Sequence, residues 1–248
     1  MKDKGIIENL VADNKFYTTK VRDLYLQMDL CHDEKHFDEV YNEAWRLGFF
    51  DFIAGLITID DVRIIMAAAA YHDIGRVISN KNHEQIAVDA IMNFDSDNKD
   101  SIFYDVVKYF YDNFTDENIK FICEIISQHR SKAKATSELA AIVKDADKIG
   151  RTDMNRFLYR LVGYNIEKII DDNVCLMTDK MIPIINNYIK EHEKDPERNI
   201  SISNSMASRY LNKGKKAIKL QEVPDVFMLD AIISNVYQDY CAKKKVNK

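Results

Sequence analysis

Thr58-Ile59-Asp60-Asp61-Val62-Arg63-Ile64-Ile65-Met66-Ala67-Ala68-Ala69-Ala70-Tyr71-His72-Asp73-Ile74-Gly75 is the stretch on which the fold turns. Thr58 with Asp61 three positions on is a helix start of the capping-box kind, and residues 62–71 that follow are nearly apolar on every side. A helix without a polar face must be surrounded by other helices, so this one belongs at the centre of a core. Gly75 reads as its C-terminal stop. Upstream, residues 36–48 place Val40, Ala44 and Leu47 on one helical face with His36. Downstream, Ile86, Ala90 and Phe94 fall in register over 84–94, with Asn82 or His83 at the start. Residues 102–112 and 117–129 read as two further helices, the second carrying Ile119, Ile122 and Ile126 on the side of His129. Leu139, Ile142, Ala146 and Ile149 give a helix over 137–150, and others are expected near 154–170, 178–193, 201–219 and 225–242.

Composition agrees with an all-α protein. Seven Gly and three Pro in 248 residues supply too few turns for a sandwich or barrel. No Pro/Ser-rich linker or internal repeat marks a boundary, and the expected division is 1–165 with a dependent helical extension at 166–248. Lys and Arg number 35 against 40 Asp and Glu, so the net charge is 35 − 40 = −5 and gives no global attraction to nucleic acid or anionic lipid. The longest uninterrupted apolar run, Ile64 to Tyr71, is far too short to cross a bilayer. The N-terminal residues lack the apolar stretch of a secretion signal, and the expectation is a soluble, cytoplasmic protein with no membrane partner. Cys31, Cys123, Cys175 and Cys241 are dispersed, without a CxxC pair, and read as reduced thiols.

Several polar groups fall on faces that should be buried. His72 and Asp73 follow the most core-like segment of the chain, and a buried carboxylate costs several kcal/mol unless a cation or donor compensates it. Asp145 has Ala141 and Ile142 behind it and Ile149 ahead, so it is read as facing inward. Asp147, with Lys144 and Arg151 within a turn, is read as solvated, ion-paired or orienting a ligand. A divalent cation is the simplest shared partner for His36, His72, Asp73 and Asp145, since neutral imidazole and carboxylate suit Mn, Fe, Co, Ni or Zn, with Mg also open. Each histidine taken alone is better explained as an ordinary hydrogen-bonded core or surface residue.

Cys31-His32-Asp33-Glu34-Lys35-His36, then Ala70-Tyr71-His72-Asp73-Ile74-Gly75-Arg76, then Val143-Lys144-Asp145-Ala146-Asp147-Lys148-Ile149 occur in this order, each in a helical context. Together they resemble the HD-domain superfamily of metal-dependent phosphohydrolases. The resemblance implies an HD-domain-like helical bundle with additional C-terminal helices. It also implies His36, His72, Asp73 and Asp145 as metal ligands, with His32 the alternative first histidine. Asn82-His83-Glu84-Gln85-Ile86-Ala87 and Ile125-Ile126-Ser127-Gln128-His129-Arg130 resemble segments that bring a second ion in binuclear members, which would add His83 and His129 and make Asp73 a bridge. The alternative is one ion, with His83 a helix cap and His129 a substrate contact.

On that resemblance the expected activity is hydrolysis of a phosphate ester or anhydride, by metal-activated water, of a nucleotide or related small molecule. Asp73, Arg76 and His129 are assigned to the chemistry, and Arg76, Arg130, Lys132 and Lys134 to the substrate phosphate, with Lys148 a weaker clamp. The segment after the doublet lacks the paired acidic residues of alarmone hydrolases, and no Gly-Tyr-Pro signature of cyclic-dinucleotide enzymes follows. Two readings compete: a binuclear-iron oxygenase on a similar ligand set, and an inactive regulatory module. The basic C-terminal residues Lys213, Lys215, Lys216, Lys219 and Lys243 to Lys245 read as solvated helix ends rather than an RNA surface, and the C-terminal helices leave a homodimer open.

Overall fold

A computed structural model describes residues 2–130, 133–149, 154–193 and 224–246, which are helical and turn structure without a strand. In chain order the elements are α1 (Lys2–Phe16), a π turn (Tyr17–Val21), α2 (Arg22–Tyr25), α3 (Glu34–Ile53), α4 (Ile59–Tyr71), a 3-10 turn (Ile74–Val77), α5 (His83–Met92) and α6 (Tyr104–Asn113). There follow α7 (Asp116–Gln128), α8 (Glu138–Ile149), α9 (Met154–Ile169), α10 (Val174–Glu193) and α11 (Val226–Val246). The helix expected over 201–219 lies outside the described residues. The expectation of an all-α protein holds, with boundaries shifted by a few residues.

The residues divide into two compact units, the first containing 2–28 and 32–149, the second 29–31, 154–193 and 224–246. In the first unit α4 is central. It begins with the expected capping box, Thr58 accepting from Asp61 N–H while Asp61 caps the Thr58 N–H, and packs against α3, α7 and α8. Ala67 to Tyr71 are fully buried. Alanine at four consecutive positions gives small side chains in every direction, so neighbouring helices can approach on several sides at once. Phe37, Val40, Ala44 and Leu47 of α3, Ile122 and Ile126 of α7, and Ile142 and Val143 of α8 fill the remaining space. Each such side chain contributes about 1.5–3 kcal/mol on burial.

Gly75 has a different role from the one expected of it. The helix ends at Tyr71, and Gly75 sits inside the 3-10 turn without the left-handed backbone of a helix stop. A Cβ there would collide with the His83 carbonyl oxygen, so Gly75 is the surface on which the first turn of α5 rests. Asn82 supplies the left-handed residue instead, with φ of 54°, and starts α5 at His83. At the other edge of the unit, α1 is fastened by Asp13, which accepts from Arg63 of α4 at 2.7 Å and from the Tyr109 hydroxyl of α6 at 2.8 Å.

The second unit packs α9, α10 and α11 against one another through Leu158, Val162, Met181, Ile185, Leu229 and Ile233. Leu30 joins this core, and Cys31 donates its thiol to the Arg160 carbonyl at 3.1 Å. The whole of α9 belongs here, whereas the sequence reading kept residues up to 165 with the first unit. The apolar stripe of α9 is matched to those of α10 and α11, which is a pairing no local pattern displays.

Candidate metal centre

Five polar side chains converge in the first unit, each from near the end of a helix. His36 stands in the first turn of α3, whose start is fixed by Asp33 accepting from the Lys35 and His36 N–H groups. His72 and Asp73 follow the last residue of α4, His83 is the first residue of α5, and His129 directly follows α7. A helix end lets adjacent residues leave the helical screw, so His72 and Asp73 reach the same point although neighbours inside a helix diverge by about 100°. All five are buried, Asp73 at 1% exposure.

Asp73 is the hub. Its Oδ2 lies 3.3 Å from His72 Nε2 and 3.5 Å from His36 Nε2. Its Oδ1 lies 2.9 Å from His83 Nε2, 3.5 Å from His129 Nε2 and 2.8 Å from Arg76 Nε. One carboxylate oxygen therefore faces each pair of imidazoles. Among the described residues two triplets have ligand atoms close enough to hold an ion: His36, His72 and Asp73, and Asp73, His83 and His129.

The remaining imidazole nitrogens decide what these pairs can do. His72 Nδ1 lies 2.8 Å from the Ala69 carbonyl, His129 Nδ1 2.7 Å from that of Ile126, and His83 Nδ1 3.3 Å from that of Asn80. Each carbonyl, three residues back, can only accept, so each Nδ1 donates and the neutral ring keeps a bare lone pair on Nε2. Yet His83 Nε2 faces His129 Nε2 at 3.1 Å, and His72 Nε2 faces His36 Nε2 at 3.4 Å. Where both rings are anchored in this way, as for His83 and His129, opposed lone pairs beside a carboxylate repel unless a cation lies among them. Carbonyl-anchored imidazoles are the usual outer support of metal-ligating histidine. The residues present thus fit divalent cations on chemistry as well as spacing.

Burial alone would raise the pKa of Asp73, but His72 and Arg76 beside it outweigh burial and hold the carboxyl well below the ordinary range. Asp73 is an anion ready to bind a cation. Beneath it, the Tyr25 hydroxyl donates to the Ala70 carbonyl at 3.0 Å and accepts from the Asp73 N–H at 3.4 Å, fixing the backbone of the doublet. Burial and the charge of Asp73 push this phenol well above its ordinary pKa, so it remains a donor.

The structure revises several expectations. Asp145 is buried but belongs to neither triplet. The α8 carboxylate beside the cluster is Asp147, whose Oδ1 lies 3.4 Å from His36 Nε2. The apolar neighbours of Asp145 correctly indicated burial, but the face that enters the core differs from the one that meets α3 at the helix end. His32 packs edge-on against His36, ring centres 5.5 Å apart, and is likewise outside both triplets. Arg76 donates to Asp73 and, at 3.2 Å, to Asn80, so it braces the hub rather than standing as an open phosphate clamp. Arg130 is paired with Glu84 at 3.0 Å. Lys134 is exposed, Lys148 is half-buried on α8, and Lys132 lies outside the described residues, as does Arg151, the pairing partner considered for Asp147. Tyr25 was not expected at all. The spacing of Tyr17, Val21, Leu24 and Met28 is a helical signal for its segment, but nothing local shows that it lies under a doublet 47 residues on.

Among the described residues no helix is long and apolar enough to cross a membrane. Comparison with known proteins adds one finding. The family model described as the HD domain matches residues 42–152, a span that holds His72, Asp73, His83, His129 and Asp147 and begins just after His36. No curated protein and no solved structure matches the chain.

Proposed function

We propose that the chain, whose residues 42–152 match the HD-domain family model, hydrolyses a phosphate ester or anhydride at a two-ion centre, as a superfamily of metal-dependent phosphohydrolases does. One ion is assigned to His36, His72 and Asp73, the other to Asp73, His83 and His129. The observation that carries this reading is the orientation of Asp73, one oxygen toward each pair of imidazoles, with the Nδ1 protons of His72, His83 and His129 already spent on backbone carbonyls. When bound, divalent cations such as Mn, Fe, Co, Ni or Zn supply Lewis acidity toward a phosphoryl oxygen and lower the pKa of water toward neutrality.

The residues of the chain set up the rest. Asp73 shares its charge between the two subsites, and Arg76 holds its Oδ1 in place from the side. Tyr25 fixes the backbone of the doublet, while the carbonyls of Ala69, Asn80 and Ile126 fix the planes of three rings. Asp147 brings a second carboxylate to the His36 side. We assign a nucleotide or related small phosphorylated molecule as substrate, with Arg130 of the Glu84 pair beside the second triplet as the cation nearest to it in sequence.

A phosphate-release assay over nucleoside mono-, di- and triphosphates and simple phosphomonoesters tests the proposal. The expected result is metal-dependent release of phosphate, abolished by chelation and by His72→Ala. Undiminished release by His72→Ala would end it, and dioxygen-dependent turnover without phosphate release would assign the centre to an oxygenase.

A further inference from the structure

Five of the described arginines pair with a carboxylate, and Arg160 does not. Arg22 pairs with Asp38, Arg46 with Glu43, Arg63 with Asp13, Arg76 with Asp73 and Arg130 with Glu84. Arg160, on α9 of the second unit, is 91% buried, and its Nη1 is shut off from solvent without a hydrogen-bond partner. Among the described residues its guanidinium forms no ion pair, since the one recorded polar contact of Arg160 is its backbone carbonyl, which accepts from the Cys31 thiol. A buried lysine can shed its proton, but a guanidinium cannot, so burial leaves an obligate cation in a poor solvent. Buried charges are otherwise paired, because the uncompensated cost is several kcal/mol.

The surroundings hold that cation where it is. The backbone of Arg160 is fastened by Cys31, and Gly163, three residues on, allows the close approach of that segment, a Cβ there lying 3.1 Å from Cys31 Sγ. Arg156 stands one helical turn earlier, its guanidinium 5.4 Å from the centre of the Tyr159 ring. Residues four apart on a helix are neighbours, so Arg156 and Arg160 lie on the same side of α9. The acidic residue of the same helix, Glu167, is engaged with Tyr240 and Lys244.

We propose that Arg160 is the anchor of an oxyanion site on the second unit that takes a phosphate group, as inorganic phosphate or as the phosphate of an organic monoester. A planar guanidinium fork matches phosphate oxygens in a bidentate manner. This site is separate from the two-ion centre and does not rest on the phosphohydrolase reading.

The test is calorimetric titration and thermal denaturation of the full chain with inorganic phosphate and with a nucleoside monophosphate, each against chloride at matched ionic strength. Phosphate is expected to bind and to raise the melting temperature of the wild type and of Asp73→Ala alike, which separates this site from the metal centre. Arg160→Met is expected to lose that response and, in anion-free buffer, to melt no lower than the wild type, because it removes an uncompensated buried charge. Arg160→Lys keeps the charge without the fork and is expected to weaken phosphate binding by about tenfold or more. Binding of the nucleotide but not of free phosphate would place the ligand among organic monoesters, and the reverse would make it phosphate itself. An unchanged response in Arg160→Met, a response lost in Asp73→Ala, a strongly lowered melting temperature of Arg160→Met without anion, or no response in the wild type would overturn the proposal.

Discussion

Asp73 and Asp13 are both 1% exposed in the same unit, yet their neighbourhoods are opposites. Asp13 is met by donors: the Arg63 guanidinium at 2.7 Å and the Tyr109 hydroxyl at 2.8 Å. Burial and the Asp13 charge push the Tyr109 phenol well above its ordinary pKa, and although burial alone would lower that of Arg63, Asp13 outweighs it, so both remain protonated. Asp73 is met by four imidazole nitrogens, three of them on rings whose protons are committed to carbonyls on the far side, and by one donor, Arg76. A buried carboxylate that its own chain neutralises is part of the scaffold. One surrounded by lone pairs is built for a cation supplied from outside.

The difference can be broken by substitution, beginning with the hub. Asp73→Ala is expected to cut phosphate release by at least about a thousandfold while the chain remains folded, since it removes the shared anion and leaves mainly neutral imidazoles. Assays of released phosphate beside circular dichroism check both halves. Asp13→Ala should do the reverse. Removing one partner of a buried ion pair strands Arg63 and costs about 3–5 kcal/mol, read as a lower denaturant midpoint with metal content per folded chain unchanged. Metal loss in Asp13→Ala, or wild-type turnover in Asp73→Ala, would erase the distinction.

How far the sequence displayed this contrast depended on range. The capping box at Thr58 and the apolar run to Tyr71 are local signals, and the structure keeps both. The buried imidazoles were legible because a titratable group on an apolar helical face is an anomaly visible in one helix alone. Asp147 was hidden for the complementary reason: it looked solvated beside Lys144 and Arg151, and only the meeting of α8 with α3 places it at His36. Tyr25 acts on a doublet 47 residues away, and the Asp13 pairing spans 50 and 96 residues. Gly75 was read as a stop because the close packing of α5 that requires it cannot be seen from its own neighbours.

Two smaller effects sharpen the comparison. Gly75→Ala forces a methyl against the His83 carbonyl, a backbone atom that cannot swing aside, and is expected to cost about 1–3 kcal/mol. Because the displaced turn carries His83, occupancy of the second subsite should fall more than that of the first in metal titrations. Tyr25→Phe removes the hydroxyl between the Ala70 carbonyl and the Asp73 N–H, expected to cost about 1 kcal/mol. As an outer support of the ligands, it should also weaken metal affinity by about tenfold, whereas a purely structural role would leave affinity unmoved.

The most direct test of the account is the metal content of the purified full chain, measured by mass spectrometry against protein concentration. A shared carboxylate between two imidazole pairs predicts about two divalent ions per chain, about one after His83→Ala, and essentially none after Asp73→Ala. An Asp73→Ala protein that keeps the wild-type metal content would contradict it.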